Sequence, residues 1–446
     1  MARKTGNTMG YKTSYAKMNK HPLNVAIIGM GGFAGAHHRA VFELEKKNIL
    51  KLCCTCDIDL KFFKAFMHEL KMEERNVKVF NNYISMLDSF SEKLDFAIIP
   101  TPIHLHAEMH KECVKRGIAV YLEKPPTLDY FELLDMIKTD LSAKKETNVG
   151  FNFIIQQLRQ KIKKRILTGE FGKIQKITFL GMWPRPVSYF RRSSWAGRLI
   201  LDDKLVLDSC FGNAISHYVH NILFWAGKDG VFSWDIVESA KAEIYRANNI
   251  QGTDTVFVLA STRNVPEIRI AMTHACFEKT PDIEKIYCEK ATIFFEANAK
   301  KDEKTTQAKC EIFWKNGKIE TLTQPNGNLL LENLVHYAKY VSGQKKRPLT
   351  RLTDAEPFVM LNGLIYIGAK KIKKIPQKNK EIAYDREGET YIVIRRIRKI
   401  AENFIENGLF PSQQNVRWAR EGGTANRNDI GKLRQAVRTM IKEITQ

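Results

Sequence analysis

The chain has 446 residues, 44% hydrophobic and 27% charged, which is ordinary for a globular protein of two or more domains. No apolar run reaches the ~20 residues of a membrane span, so membrane embedding is excluded as a function class. The 71 Lys and Arg outnumber the 49 Asp and Glu, giving a net charge of +22. These basic residues are dispersed, and only 370–374 and 395–399 form clusters, so a solvated surface is expected rather than a nucleic-acid stripe.

Residues 1–22 are polar and basic, lack the apolar centre of a secretory signal, and predict a loosely attached extension. From Leu23 the pattern becomes strand, turn and helix, repeated. Leu23 to Ile28 is a short apolar strand, followed by a turn at Gly29 and a helix to about Lys46. A second strand, Leu52 to Cys56, ends in Asp57. A third, Leu94 to Ile99, ends at Pro100-Thr101-Pro102. A helix from about His106 to Arg116 stops at Gly117 and leads into the strand Ala119 to Leu122. Strands alternating with helices predict a doubly wound parallel sheet over 23–148.

After Gly150 the texture changes. A basic helix from about Ile155 to Thr168 precedes a strand at Ile174 to Met182, and an aromatic, arginine-rich loop runs from Trp183 to Leu205. Strands then follow one another at Asp235–Tyr245, Thr255–Ser261, Ile268–Cys276, Ile283–Glu289 and Thr292–Glu296. Asn316-Gly317 signals a hairpin between Cys310–Lys315 and Lys318–Leu322. Helices return at Leu329–Val341 and Ala355–Lys373. This predicts an α+β domain over 149–375, with a large, mainly antiparallel, open-faced sheet. Residues 376–446 are read as an extension packed on the other domains. The 8 cysteines show no metal-site spacing, so no metal is expected and free thiols in a reducing cytoplasm are the simplest reading.

Four constellations carry chemistry. Gly29-Met30-Gly31-Gly32-Phe33-Ala34 lies between a strand and a helix and fits a dinucleotide fingerprint. Its glycines permit a tight turn and close approach to a pyrophosphate, and the helix N-terminus supplies partial positive charge. Asp57, ending the next strand, is placed to accept from ribose hydroxyls, which favours NAD over NADP, although Lys61 nearby keeps NADP open. Thr101, Pro102, His104 and His106 follow the third strand beside the expected cofactor. Lys124, in Glu123-Lys124-Pro125-Pro126, stands at the carboxyl end of a strand, where open α/β sheets put their ligands. A positively charged nicotinamide nearby lowers a lysine pKa and suits it to accept a hydroxyl proton. From Phe211 to Ala226 no residue is charged, and a helix of that composition is buried. Its polar residues Asn213, His217 and His220/Asn221 recur at helical spacing, like the wall of a cleft.

These features in this order resemble the Gfo/Idh/MocA family of sugar and polyol oxidoreductases, over roughly Leu23 to Lys373. The likeness rests on the glycine turn with His37 in the next helix, Thr101-Pro102 to His106, Glu123-Lys124-Pro125, and the His217 helix. It implies a Rossmann domain followed by an open-faced sheet domain. It also implies that Lys124 contacts cofactor and substrate, and that His217 acts in proton transfer with an aspartate four residues before it. That position is Asn213 here, and the nearest carboxylate, Asp208, lies nine residues before His217.

Two function classes follow. In the first, an NAD(P)-dependent dehydrogenase oxidises a secondary hydroxyl of a sugar, polyol or related carbohydrate. Lys124, His217 and Asp208 are then catalytic, Asn213 and His220 bind substrate, Trp195 is a platform for a sugar ring, and Arg191 or Arg198 binds an acidic group. In the second, a non-catalytic cofactor-sensing protein has kept the fold. An open sheet face predicts a homodimer or homotetramer.

Overall fold

The computed structural model describes residues 21–445. The N-terminal sheet is built from β1 (Leu23–Ile28), β2 (Leu50–Cys56), β3 (Lys78–Phe80), β4 (Phe96–Ile99), β5 (Ala119–Leu122) and β6 (Asn148–Val149). Their order is β3-β2-β1-β4-β5-β6, with every neighbouring pair parallel. Strands such as Phe96–Ile99 and Ala119–Leu122 are buried throughout, as a sheet covered on both faces requires. The helices between them are α1 (Ala34–Glu45), α2 (Lys64–Glu69), α3 (Tyr83–Phe90), α4 (His106–Lys115) and α5 (Tyr130–Asp140). The strand order reverses between β1 and β4, so the carboxyl ends of these two strands open a crevice. The doubly wound domain is present as expected.

Beyond α6 (Gln157–Leu167), the second sheet comprises β7 (Ile174–Met182) and the later strands, while β8 (Ile200–Leu201) and β9 (Lys204–Leu205) form a separate small hairpin. After α7 (Ser216–Ala226) come β10 (Val237–Arg246), β11 (Thr255–Thr262), β12 (Ile268–Thr273), β13 (Ile283–Cys288), β14 (Ala291–Lys300), β15 (Thr306–Trp314) and β16 (Ile319–Pro325). They run in the order β16-β15-β14-β13-β7-β12-β11-β10 and are antiparallel except for β7 with β12. The predicted turn is made at Gly317, whose φ of +86° only glycine adopts without strain. Helix α8 (Leu329–Val341) returns to the first domain, where Tyr337 packs edge-on against Phe96 at 5.2 Å. The buried helix α9 (Leu352–Ala369) lies along β10.

The large, mainly antiparallel second sheet is present as expected, and the rest of the chain covers part of its free face. The chain continues through β17 (Ile372–Lys374), the hairpin β18 (Lys380–Tyr384) and β19 (Thr390–Ile394), α10 (Ile397–Asn407), β20 (Thr424–Asn426) and α11 (Leu433–Thr445). β17 and β20 both pair with β10. Helix α10 buries Ile397, Ile400, Ala401, Phe404 and Ile405, an apolar stripe at helical spacing. That stripe covers Tyr245, Phe257 and Ala271 on the face of β10–β12 that α9 leaves free. Arg269 of β12 donates to the carbonyls of Ile405 and Glu406, capping the helix C-terminus with positive charge. On β13–β15 the same face keeps partly exposed residues, among them Lys285, Phe294 and Phe313.

Candidate functional site

The crevice begins at the glycine turn. Gly29 has φ +101° and Gly32 φ +56°, both left-handed. Side chains at Gly29 and Gly31 would press Thr101 Cγ2 at 3.2 Å and Phe63 Cζ at 3.3 Å. Phe33, half-exposed, precedes Ala34 at the start of α1. Asp57 braces the turn: Met30 N–H donates to its Oδ2 at 2.8 Å and Asp59 N–H to its Oδ1 at 3.1 Å. Each oxygen keeps a lone pair for a ribose hydroxyl. A bare turn, a helix N-terminus and this carboxylate form a cradle that fits a dinucleotide.

Next along the crevice, Thr101 and Pro102 are partly exposed at the end of β4. His106 is placed differently from the expectation. It is 1% exposed, with Nε2 2.8 Å from Thr101 O and Nδ1 3.0 Å from Pro125 O. It therefore ties the two loops together and offers no surface to a cofactor. His104 is buried, its pKa lowered by burial and then by Lys204 of the β8–β9 hairpin. That hairpin reaches the first domain, where Lys204 pairs with Glu108 of α4 at 3.4 Å.

Glu123 is held by His37 Nε2–H at 2.9 Å and by the Lys124 main-chain N–H at 3.1 Å. The Lys124–Pro125 bond is cis. Lys124 projects to the second domain, where Nζ donates to the Asn213 carbonyl at 3.0 Å and lies 3.5 Å from Asn213 Oδ1. Burial lowers its pKa most. Glu123 and Asp208 oppose this, and Arg185 and Arg192 add to it.

Asn213 is not on the α-helix, as the spacing predicted. Cys210–Ala214 forms a π turn, with Ile215 N–H bonded to Cys210 O, and α7 starts only at Ser216. The Ser209 hydroxyl caps this turn by accepting from Gly212 N–H at 2.8 Å. A side chain at Gly212 would meet Asn362, Leu128 and the Leu207 carbonyl at about 3 Å, so any larger residue would have to displace them. Such turns recur at functional sites because the extra residue re-aims the backbone.

The consequence is that Asp208 joins the site. It is 3% exposed and accepts from Gly197 N–H at 2.7 Å and from Asn213 Nδ2–H at 2.8 Å. Burial raises its pKa, which Arg192, 3.6 Å away, opposes. His217 is partly exposed and packs against Phe151 and Phe153. Burial, then the charge of Lys124, holds its pKa well below the usual value, so it is neutral.

The predicted polar stripe breaks beyond His217. His220 has no exposure: its ring stacks on Phe151 at 3.9 Å and it accepts from Trp234 Nε1–H at 3.3 Å. Asn221 is bonded to Glu284 inside the core. His220 is thus a core histidine and not a wall of the cleft.

In the loop, Trp195 is partly buried, with the Arg192 guanidinium 4.6 Å from its ring centroid. Arg191 and Arg198 point outward and are exposed. The arginines nearer the site are Arg185, partly buried, and Arg192, itself exposed but 3.6 Å from Asp208; both lie over the Tyr189 ring, at 4.8 and 3.8 Å. Beside them His274 bonds through Nδ1–H to Trp183 O at 2.8 Å, and burial lowers its pKa to about 3. Sequence reasoning missed Arg185, Arg192, Tyr189 and His274. The aromatic–arginine alternation was their only signal. Among the described residues no cluster of His, Cys, Asp or Glu could hold a metal ion.

Fold and site together define a two-domain dinucleotide-binding protein, with a lysine of the first domain meeting an amide and a carboxylate of the second. Residues 23–151 match the Gfo/Idh/MocA family, described as an oxidoreductase family with an NAD-binding Rossmann fold. Its N-terminal domain is an NAD-binding domain. The chain is 29% identical over 102 residues to inositol 2-dehydrogenase of Rhizobium meliloti (strain 1021), covering 22% of this chain and 31% of that enzyme. It is 27% identical over 161 residues to D-glucoside 3-dehydrogenase of Escherichia coli (strain K12), covering 36% and 44%. The matches therefore span less than half the length of these relatives. The fold is shared with the WlbA dehydrogenase of Bordetella pertussis, solved with NADH and UDP-GlcNAcA. That match has TM-score 0.62 and 21% identity, covering 78% of this chain and 97% of that one.

Proposed function

We propose that the protein is an NAD-dependent dehydrogenase that oxidises a secondary hydroxyl of a sugar, polyol or related carbohydrate. The observation that carries this reading is the line Lys124–Asn213–Asp208 across the domain boundary, at the mouth of the cofactor crevice. NAD is favoured over NADP because a 2′-phosphate would meet the Asp57 carboxylate. The bound nicotinamide supplies the hydride acceptor. Lys124, with its lowered pKa, takes the hydroxyl proton. Asp208 steadies the resulting ammonium through Asn213, and the neutral His217 orients a hydroxyl by hydrogen bonding. Trp195 and Asn213 bound the space in which a sugar ring would lie. The carbohydrate relatives inositol 2-dehydrogenase and D-glucoside 3-dehydrogenase support the substrate class. A reducing compartment such as the cytoplasm suits the 8 free cysteines. A homodimer or homotetramer would form through the face of β13–β15, since α10 covers the rest.

The test is a panel of sugars, polyols and their acids, followed by the absorbance of reduced nicotinamide. Lys124→Ala should abolish turnover and leave NADH affinity within about tenfold, because the glycine turn is untouched. Loss of cofactor affinity alone would remove the assigned role. Asn213, in place of the expected aspartate, favours cofactor sensing as the second reading. Saturable NADH binding with no turnover across the panel would select it.

A further inference from the structure

We infer that Arg185 and Arg192 form a subsite for an anionic group on the substrate, one wall away from Lys124. The inference rests on the dehydrogenase reading only in calling the ligand a substrate. Both guanidiniums lie over one ring, Tyr189, and Arg192 also lies over Trp195. Aromatic faces hold the planar groups in position while leaving their N–H donors free for a ligand. Among the described residues, Arg185 has no carboxylate within ion-pair distance, and its buried Nε has no hydrogen-bond partner. Arg192 stands 3.6 Å from Asp208, too far for a strong hydrogen bond, and donates to the Tyr189 carbonyl at 2.7 Å.

The charges around this wall do not balance. Even with Lys124 neutral, Arg185 and Arg192 face a single carboxylate open to them, Asp208, because Glu123 is already engaged by His37. Oxidised nicotinamide would add a further positive charge. An excess of cations in a partly desolvated cleft is unfavourable unless an anion completes it. The planar fork of arginine suits a carboxylate or a phosphoryl group. Both a uronic acid and a sugar phosphate carry that chemistry.

The experiment is calorimetric titration of the full-length protein, saturated with NADH, with glucose, glucuronate and glucose 6-phosphate. One acidic probe should bind about tenfold or more tightly than glucose, and the preference should shrink as salt is raised. The probe that wins identifies carboxylate or phosphoryl as the source. Arg185→Gln and Arg192→Gln should each reduce the preference to within about threefold, while Arg185→Lys retains part of it. Unchanged NADH affinity in every variant shows that the fold is intact. Equal binding of the three probes, failure of all three to bind, or a preference that survives both glutamine variants would overturn the subsite. Acid-selective binding without turnover would leave the subsite standing and remove the dehydrogenase reading. Turnover of neutral sugars without acid preference would do the reverse.

Discussion

Replacing Asp57 by alanine separates the cofactor cradle from the catalytic wall. Two losses are expected. The first is the charge-assisted contact to the ribose hydroxyls, worth about 1.5–3 kcal/mol for hydrogen bonds to a charged group. The second is the brace on the glycine turn, where Met30 N–H bonds to Oδ2 at 2.8 Å. That bond is part-buried and within reach of water once the side chain is gone, so its net contribution is about 0.5–1.5 kcal/mol. Together they amount to about 2–4.5 kcal/mol, or roughly thirty- to two-thousandfold in the NADH dissociation constant. NADPH should lose far less, because the same substitution removes the carboxylate that repels its 2′-phosphate. The NADH-to-NADPH affinity ratio should therefore fall by at least about tenfold. Fluorescence titration of both reduced cofactors needs no substrate and reads each constant directly. An NADH constant within about threefold of the parent protein, with the ratio unchanged, would show that the ribose is held elsewhere.

Two further outcomes concern stability. Phe404 of α10 is fully buried against Phe257 and Phe410, so Phe404→Ala should cost about 3–5 kcal/mol, read as a lower urea midpoint. A change below about 1 kcal/mol would mean that α10 is not anchored on the sheet. Acid should also destabilise the fold, because burial lowers the pKa of His38 to about 4 and that of His274 to about 3. These groups protonate first in the unfolded chain. Their contribution is complete above the unfolded value of 6.5 and is lost as pH falls toward the folded values. By pH 5 each should cost about 2 kcal/mol, and His38→Gln should flatten the decline between pH 7 and pH 5. A decline of equal steepness in that variant would assign the acid sensitivity to other groups.

The elements most visible in the sequence were those whose neighbours are local. Leu23–Ile28, Ile174–Met182 and Leu329–Val341 fall where their apolar runs place them. The glycine turn and Lys124 were legible for the same reason: a strand end fixes where the next residues sit. What composition cannot say is against what a face is buried. Ile397, Ile400, Ala401 and Phe404 advertise an amphipathic helix, yet nothing in that spacing names the sheet beneath it. His106 and His220 carry the same ambiguity, since a buried histidine satisfied by carbonyls or stacked on an aromatic ring looks in sequence like a cleft residue. Arg185 and Arg192 lay in a loop without periodicity, so only the folded chain separates them from Arg191 and Arg198.

The departure at Asn213 has a physical consequence for the division of labour in the site. Asp208 supplies a carboxylate one side chain further from Lys124, through the Asn213 amide, because the π turn brings the residues before it alongside those within it. A carboxylate in direct contact would hold the lysine firmly protonated. At one remove its pull is weaker, and burial together with Arg185 and Arg192 prevails, so the lysine pKa falls. The same displacement leaves His217 with no carboxylate to stabilise an imidazolium, and its surroundings keep it neutral. Under the proposed dehydrogenase reading, proton acceptance therefore falls to Lys124, and His217 is left as a hydrogen-bonding partner. Asp208→Asn should lower the Lys124 pKa further, by removing a nearby negative charge, and move the acid limb of the pH–rate profile to lower pH. If His217 were the base instead, that limb would stay with the histidine and be abolished by His217→Gln.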